Sequence, residues 1–326
     1  MRLNFNKRRT AVRILKYVFG ETKPNTKGLA VALGFFDGVH LGHRKLLREL
    51  KAKADTLGLE PCVFTFENNL SKTKKIKTIL YNNEDKIQIF ENIGISTVIF
   101  ADFDSIADLS PESFVLDVLV GDFGAELCVA GFNFRFGKGA RGDSELLARI
   151  SKECGISAII VDEETADGQT LSSTFIRSLI SKGKLEEANR LLGSPYFIKG
   201  VVERGLGLGS HFGFPTVNTP IREDSPLPKG VYRSAVKVGN KLYTGITNVG
   251  ECPTVKTREV HAETLIADFN GDLYGEEIYV YLLEYLREER TFDSVELLRE
   301  QIYRDRELSI KKNGDLKWLE IGLSLP

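Results

Sequence analysis

What this chain has little of narrows its chemistry before any motif is read. It holds four cysteines, four histidines, one tryptophan and one methionine in 326 residues. Cys62, Cys128, Cys154 and Cys252 lie far apart, without the close pairing of a metal site, and read as reduced core thiols of a cytoplasmic protein. No apolar run approaches the roughly 18 residues of a membrane span. The start is basic, but Arg13 and Lys16 interrupt what would otherwise be a signal-peptide core. Charge of one sign is also missing: 44 basic against 45 acidic residues leave a formal net charge of −1, which gives no general pull towards nucleic acid. The basic run 72–77 reads as a solvated loop. Neither nucleic acid nor a membrane is an expected partner, and a weak homo-oligomer is compatible with this composition. There is no internal repeat and no low-complexity tract.

What is present is apolar mass and a change of rhythm. A hydrophobic fraction of 42%, with 20 Phe and 10 Tyr, is ample for packed cores, and the length suits two domains. From 28 to 181, strand-like runs (28–34, 61–66, 97–101, 126–130, 158–162) alternate with helical spacing (41–57, 84–93, 111–120, 143–154). That alternation predicts βαβ units and a parallel sheet. A helix over 184–193 ends in glycine. Strands at 196–203, 230–238, 241–248, 260–268 and 277–283 follow, joined by tight turns at Gly239-Asn240 and 270–272. These predict an antiparallel sheet or small barrel. Asp293 to Glu296 resembles a capping box opening a last helix over 295–310. The boundary is placed so that 1–185 and 186–326 form the two domains.

The most informative stretch is Leu33-Gly34-Phe35-Phe36-Asp37-Gly38-Val39-His40-Leu41-Gly42-His43. A buried strand stops at glycine, turns, and restarts as a helix. His40 and His43, two of the four histidines, then share one face of its first turn. A helix N-terminus with free N–H groups and two imidazoles suits an anion. Further on, Leu171-Ser-Ser-Thr-Phe-Ile-Arg177 opens another helix, with Ser172 or Ser173 as its natural N-cap. Arg177 has the planar fork that matches phosphate oxygens.

The first stretch resembles the nucleotidyltransferase signature in the form carried by bacterial FAD synthetases, and Ser-Ser-Thr-x-Ile-Arg is similar to the second signature of that superfamily. The resemblance implies a Rossmann-like α/β domain that binds ATP through Gly34, Phe35, Gly38, Ser173 and Thr174, with His40, His43 and Arg177 acting on the triphosphate. Gly131 to Gly142, rich in glycine and phenylalanine, is similar to the loop beside both nucleotides in that family. It makes Asn133 and Phe136 flavin-binding candidates. Thr65 to Leu70 departs from the family's Phe-x-Pro-His-Pro-like turn, keeping Phe66 and lacking both prolines and the histidine.

The second half carries its own phosphate chemistry. Gly205 to Asn218 is glycine-rich but does not fit Gly-x-Gly-x-x-Gly, because Ser210 and Phe212 stand at the third-glycine positions. A flap over phosphates fits better. Thr216 and Asn218 alternate onto one face of an extended segment, where oxygen ligands suit Mg²⁺. Phe214-Pro-Thr-Val-Asn218, together with 243–254, 262–275 and 286–292, resembles the riboflavin kinases. The resemblance implies a kinase-type antiparallel β-barrel with a terminal helix. In it Glu263 is the catalytic carboxylate, Gly207, Gly209 and Gly213 cover ATP, and Asn248 and Arg287 contact flavin. Leu265 replaces the family's usual histidine. Taken together, the implied activity is phosphorylation of riboflavin to FMN followed by adenylylation of FMN to FAD, with ATP as co-substrate and Mg²⁺ as cofactor.

Overall fold

The computed structural model describes residues 12–21, 24–68, 78–166, 169–204, 215–239, 241–251 and 260–312. Packing parts the chain between Leu171 and Ser172 into two compact units, with Thr78–Leu80 belonging to the second.

The first unit is a parallel sheet with helical connections. β1 (Arg13–Tyr17) is followed by β2 (Leu29–Leu33), α1 (Leu41–Leu57), β3 (Glu60–Phe66), α2 (Asn83–Ile93) and β4 (Thr97–Ala101). A short α3 (Phe103–Ile106), α4 (Pro111–Ser113), β5 (Ala125–Gly131), α5 (Ser144–Glu153) and β6 (Ser157–Val161) complete the sheet, and β7 (Thr165–Ala166) pairs with β8 (Gln169–Thr170). The strand order is β1-β4-β3-β2-β5-β6, all parallel. β2 is central, and its five apolar residues are all buried, as a strand covered on both faces requires. Tyr17, Phe64, Phe114, Phe123 and Phe136 join the aliphatic core around it. The chain leaves β2 towards β3 on one side and later returns to β5 on the other. The carboxyl ends of β2 and β5 therefore form the crevice where ligands of open α/β sheets bind.

Two elements differ from expectation here. β1 is an extra edge strand. It has one buried anchor, Tyr17, and four exposed or half-exposed polar and apolar positions before it, so no period-2 pattern announces it. The helix expected over 111–120 starts at Pro111, capped by Ser110, then widens into a π-helix over Phe114–Asp122.

The second unit opens with α6 (Ser173–Ser181) and α7 (Leu185–Leu192), ended by Gly193 at φ 71. An antiparallel sheet follows: β9 (Tyr196–Val201), β10 (Thr216–Pro220), β11 (Gly230–Val238), β12 (Lys241–Glu251), β13 (Val260–Ile266) and β14 (Glu277–Arg287). Its order is β10-β13-β12-β11-β14-β9. The sheet curls until its two edges meet, where the Glu203 N–H donates to the Asn218 carbonyl at 2.8 Å. β11 and β12 pair out to Val238 and Lys241, on either side of the expected turn, of which Asn240 lies outside the described residues. α8 (Val295–Lys311) closes the unit. Its N-cap is Ser294, whose hydroxyl accepts from the Leu297 N–H at 3.3 Å, one residue later than the Asp293-led box.

Candidate active sites

In the first unit the chain turns sharply as it leaves β2. Phe36 (φ 55) and Val39 (φ 40) both lie in the left-handed region, which a β-branched residue rarely enters, and Gly38 (φ 77) sits between them. A Cβ on Gly34 would stand 3.0 Å from the Phe36 ring, so glycine is needed for that ring to fold back. Two hydrogen bonds from neighbouring elements secure the turn. Thr65 Oγ1 donates to the Phe35 carbonyl at 3.1 Å, and Arg44 Nε donates to the Val39 carbonyl at 3.0 Å.

The turn delivers His40 as N-cap of α1, its Nδ1 accepting from the His43 N–H at 3.4 Å. The two imidazoles stack 3.7 Å apart at 18°. Burial pushes His40 down to about 4, and burial, then His40, then Lys86 hold His43 well below its ordinary value. Both rings are therefore neutral at physiological pH. They can bind phosphate oxygens through N–H donors and the helix terminus, but not as cations. His43 Nδ1 is buried with no hydrogen-bond partner among the described residues.

Across the crevice, β5 leads into the second loop. Asn133 is exposed, its side-chain oxygen 3.5 Å from where a Cβ on Gly131 would be. Phe136 is 7% exposed and packs in the core on Phe114 and Phe134, with both ring centroids at 5.5 Å. A Cβ on Gly142 would meet the Phe136 ring at 2.6 Å, so that glycine serves the phenylalanine. Cys62 and Cys128 are buried in this unit's core as the sequence suggested, whereas Cys154 is only half-buried and Cys252 lies outside the described residues.

The Ser-Ser-Thr-x-Ile-Arg segment lies in the second unit. Ser172 caps α6 by accepting from the Phe175 N–H at 3.2 Å. Arg177 donates to the Thr78 carbonyl at 2.8 Å and to Thr174 Oγ1 at 3.0 Å.

The barrel builds a site from its register. Asn218 on β10 stands opposite Glu263 on β13, Glu263 opposite Asn248 on β12, Asn248 opposite Val231 on β11, and Val231 opposite Arg287 on β14. Directly paired residues share a sheet face, so this rung carries Asn218, Glu263, Asn248 and Arg287 on one side. Thr216 lies on the same face, and its hydroxyl donates to Glu263 Oε1 at 2.7 Å. A cavity of about 310 Å³ opens on this face, lined by Thr216, Asn248, Glu263, Arg287 and, from α8, Ile302 and Asp305. A second cavity, also about 310 Å³, lies between Thr216 and the Phe269–Tyr274 turn. Thr216 thus stands between two pockets. Gly207, Gly209 and Gly213 fall outside the described residues.

Several partners escaped sequence reasoning. Asp305, 5% exposed, accepts from Arg287 Nη2 at 2.8 Å and Nε at 3.1 Å, and Gln301 donates to its other oxygen at 2.9 Å. Glu289 accepts from Asn248 Nδ2 at 3.0 Å. An Asp four residues after a Gln on a charged helix carries no signal beyond that spacing. Thr65, Arg44 and Lys86 are likewise ordinary helix or strand residues when read as sequence.

The FAD synthetase family model matches residues 22–175, and the riboflavin kinase model matches 192–312. The chain belongs to the bifunctional riboflavin kinase/FMN adenylyltransferase family. The member from Bacillus subtilis is 34% identical, over 88% of this chain and 93% of that protein. The one from Listeria monocytogenes is 37% identical (85% and 90%), and that from Escherichia coli K12 is 33% identical (90% and 96%). Among solved structures, one described as a macrolide-efflux protein from Streptococcus pneumoniae superposes with a TM-score of 0.80 at 28% identity, covering 91% of this chain and 99% of that one. Among the described residues of this chain, no helix is long and apolar enough to cross a membrane.

Proposed function

We infer that this chain makes FMN from riboflavin and ATP in its barrel, and FAD from FMN and a second ATP in its parallel-sheet domain, releasing pyrophosphate. Both family matches support the pair of activities, and the carrying observation is Thr216, which lines two cavities and donates to Glu263 in the first of them. The functional domains in this reading are residues 1–185 and 186–326.

In the kinase half, Glu263 takes the proton of the ribityl 5′-hydroxyl as its oxygen attacks the γ-phosphorus, and ADP leaves. Riboflavin occupies the cavity of Asn248 and Arg287, and the phosphates lie on the Thr216 side; the motif assigns Gly207, Gly209 and Gly213, outside the described residues, to ATP. No group of three or more His, Cys, Asp or Glu residues able to hold a metal occurs among the described residues. Mg²⁺ takes part of its oxygen shell from substrate phosphates, and the hydroxyl and amide oxygens of Thr216 and Asn218 beside Glu263 fit such an ion. Bound there, Mg²⁺ would supply charge neutralisation for the phosphates.

In the adenylyltransferase half, an FMN phosphate oxygen attacks the α-phosphorus of ATP. That oxygen is already anionic, so no protein base is required. His40 and His43, with the N–H groups at the start of α1, hold the triphosphate against Gly34, Phe35 and Gly38. The motif assigns Ser173, Thr174 and Arg177 to the same nucleotide, and Asn133 and Phe136 to the flavin side. The reading places the enzyme in the cytoplasm, where reduced thiols and free ATP coexist. It needs no nucleic-acid or membrane partner, and self-association is at most weak.

Incubation with riboflavin, ATP and Mg²⁺, with flavins separated over time, tests the reading. FMN should rise first and FAD follow. FMN without FAD leaves only the kinase, and turnover of neither leaves a non-catalytic flavin-binding sensor.

A further inference from the structure

Lys86 lies in the first turn of α2 and is 0% exposed, with its ammonium lacking any hydrogen-bond acceptor among the described residues. Burying a lone ammonium costs several kcal/mol, and such a cost points to a role. Its surroundings are specific. The Phe35 ring stands 4.9 Å from Nζ and the Phe100 ring 6.0 Å, close enough for cation–π attraction. The titratable groups about α2 are Asp37 in the turn, His40, His43 and Arg44 at the start of α1, and Tyr81 and Asp85 beside the N-terminus of α2 itself. Of these, Asp37, 4% exposed, is the one that favours the charged lysine.

Phe35 leads into the strained turn and Asp37 lies within it. A turn with Phe36 and Val39 at positive φ persists only where its surroundings over-determine it. Thr65 and Arg44 contribute uncharged and permanently charged hydrogen bonds respectively. Lys86 is the third support, and the one whose charge changes near working pH.

We propose that Lys86 is a positioning residue for adenylyl transfer: its ammonium, set against Asp37 and the Phe35 ring, holds the turn that aims His40 and His43 at ATP. The inference rests on the reading of this domain as an FMN adenylyltransferase. Burial lowers Lys86 to about 8, with Asp37 partly opposing the shift. Adenylyl transfer should therefore fade at mildly alkaline pH as the lysine discharges, while riboflavin phosphorylation on the same chain is untouched by this route.

FMN and Mg-ATP are supplied, and kcat and KM for ATP are followed from about pH 7 to about pH 9. The wild-type protein should lose about tenfold in adenylylation across that range, as expected for a group titrating near the middle of it. Lys86→Arg, charged throughout, should lack this alkaline decline. Lys86→Met should be about 10- to 100-fold slower at neutral pH and show no decline. Riboflavin phosphorylation stays unchanged in both variants and reports an intact chain. Lys86→Met with wild-type adenylylation, or Lys86→Arg with the wild-type decline, overturns the proposal. Should Lys86→Met fail to fold, the Lys86→Arg profile alone decides. A wild-type protein that forms FMN but no FAD defeats the reading of the domain rather than this inference.

Discussion

His40 shows how a residue found by pattern acquires its chemistry from residues that no pattern links to it. The spacing His-x-Gly-His, the Asp-Gly turn and the glycines were all legible. The neutrality of the imidazoles was not, because it comes from burial in the fold and, for His43, also from His40 and from Lys86, more than 40 positions away in the chain. That neutrality has a consequence for stability. The folded pKa of His40 is depressed from 6.5 to about 4, so in that interval the unfolded chain binds the proton and the folded chain does not. The contribution is complete above the unfolded value and is lost as pH falls towards the folded one, up to about 3 kcal/mol. His40→Asn keeps a capping side chain without the titration. Urea unfolding at about pH 7 and about pH 4.5 should show the variant losing about 2–3 kcal/mol less on acidification than the wild type. An equal loss in both would show that His40 titrates freely in the folded protein.

At the level of elements, the strongly periodic segments were legible nearly to the residue: α1, β4 and β11 begin and end where the pattern put them. The misses have physical causes. β1 escaped because an edge strand with one buried anchor needs little apolar sequence. The π-helix escaped because its first turns carry the same spacing as an α-helix. α8 was found, but its role was not. Its Asp305 pins Arg287 at the edge of the cavity lined by Thr216 and Glu263, with side-chain exposures of 7% and 13%. Removing one partner of so buried a pair strands the other charge. Asp305→Ala should cost about 3–5 kcal/mol by denaturant unfolding, and raise KM for riboflavin by freeing Arg287. Gln301→Ala, which loses one hydrogen bond to the same carboxylate, should cost only about 1 kcal/mol. If both variants unfold like the wild type, the Arg287–Asp305 pair contributes nothing to holding α8.

For the whole molecule, the change from βαβ alternation to hairpin-linked strands announced two architectures, and two family models match in the same order. The sequence did not reveal that packing parts the chain at Leu171, so that α6 and α7 belong with the barrel. Cohesion there depends on which faces find partners, as at Gly183, where a Cβ would stand 3.1 Å from the Tyr285 ring, and not on composition along the chain. In the proposed reading the two activities use separate chemistry: Glu263 as a base for a hydroxyl, and His40 and His43 for a triphosphate whose attacker is already an anion. Each should therefore be removable alone. Glu263→Gln should lower FMN formation by about 10²- to 10⁴-fold while FMN supplied from outside is still adenylylated. His43→Ala should lower FAD formation by about 10²- to 10³-fold while riboflavin is still phosphorylated. Neither variant converts riboflavin to FAD, yet an equimolar mixture should do so after a lag, because FMN released by one chain is a substrate for the other. A mixture as inert as its components would mean that FMN never leaves the chain that made it. Equal loss of both activities in either variant would mean that the two sites are not chemically independent.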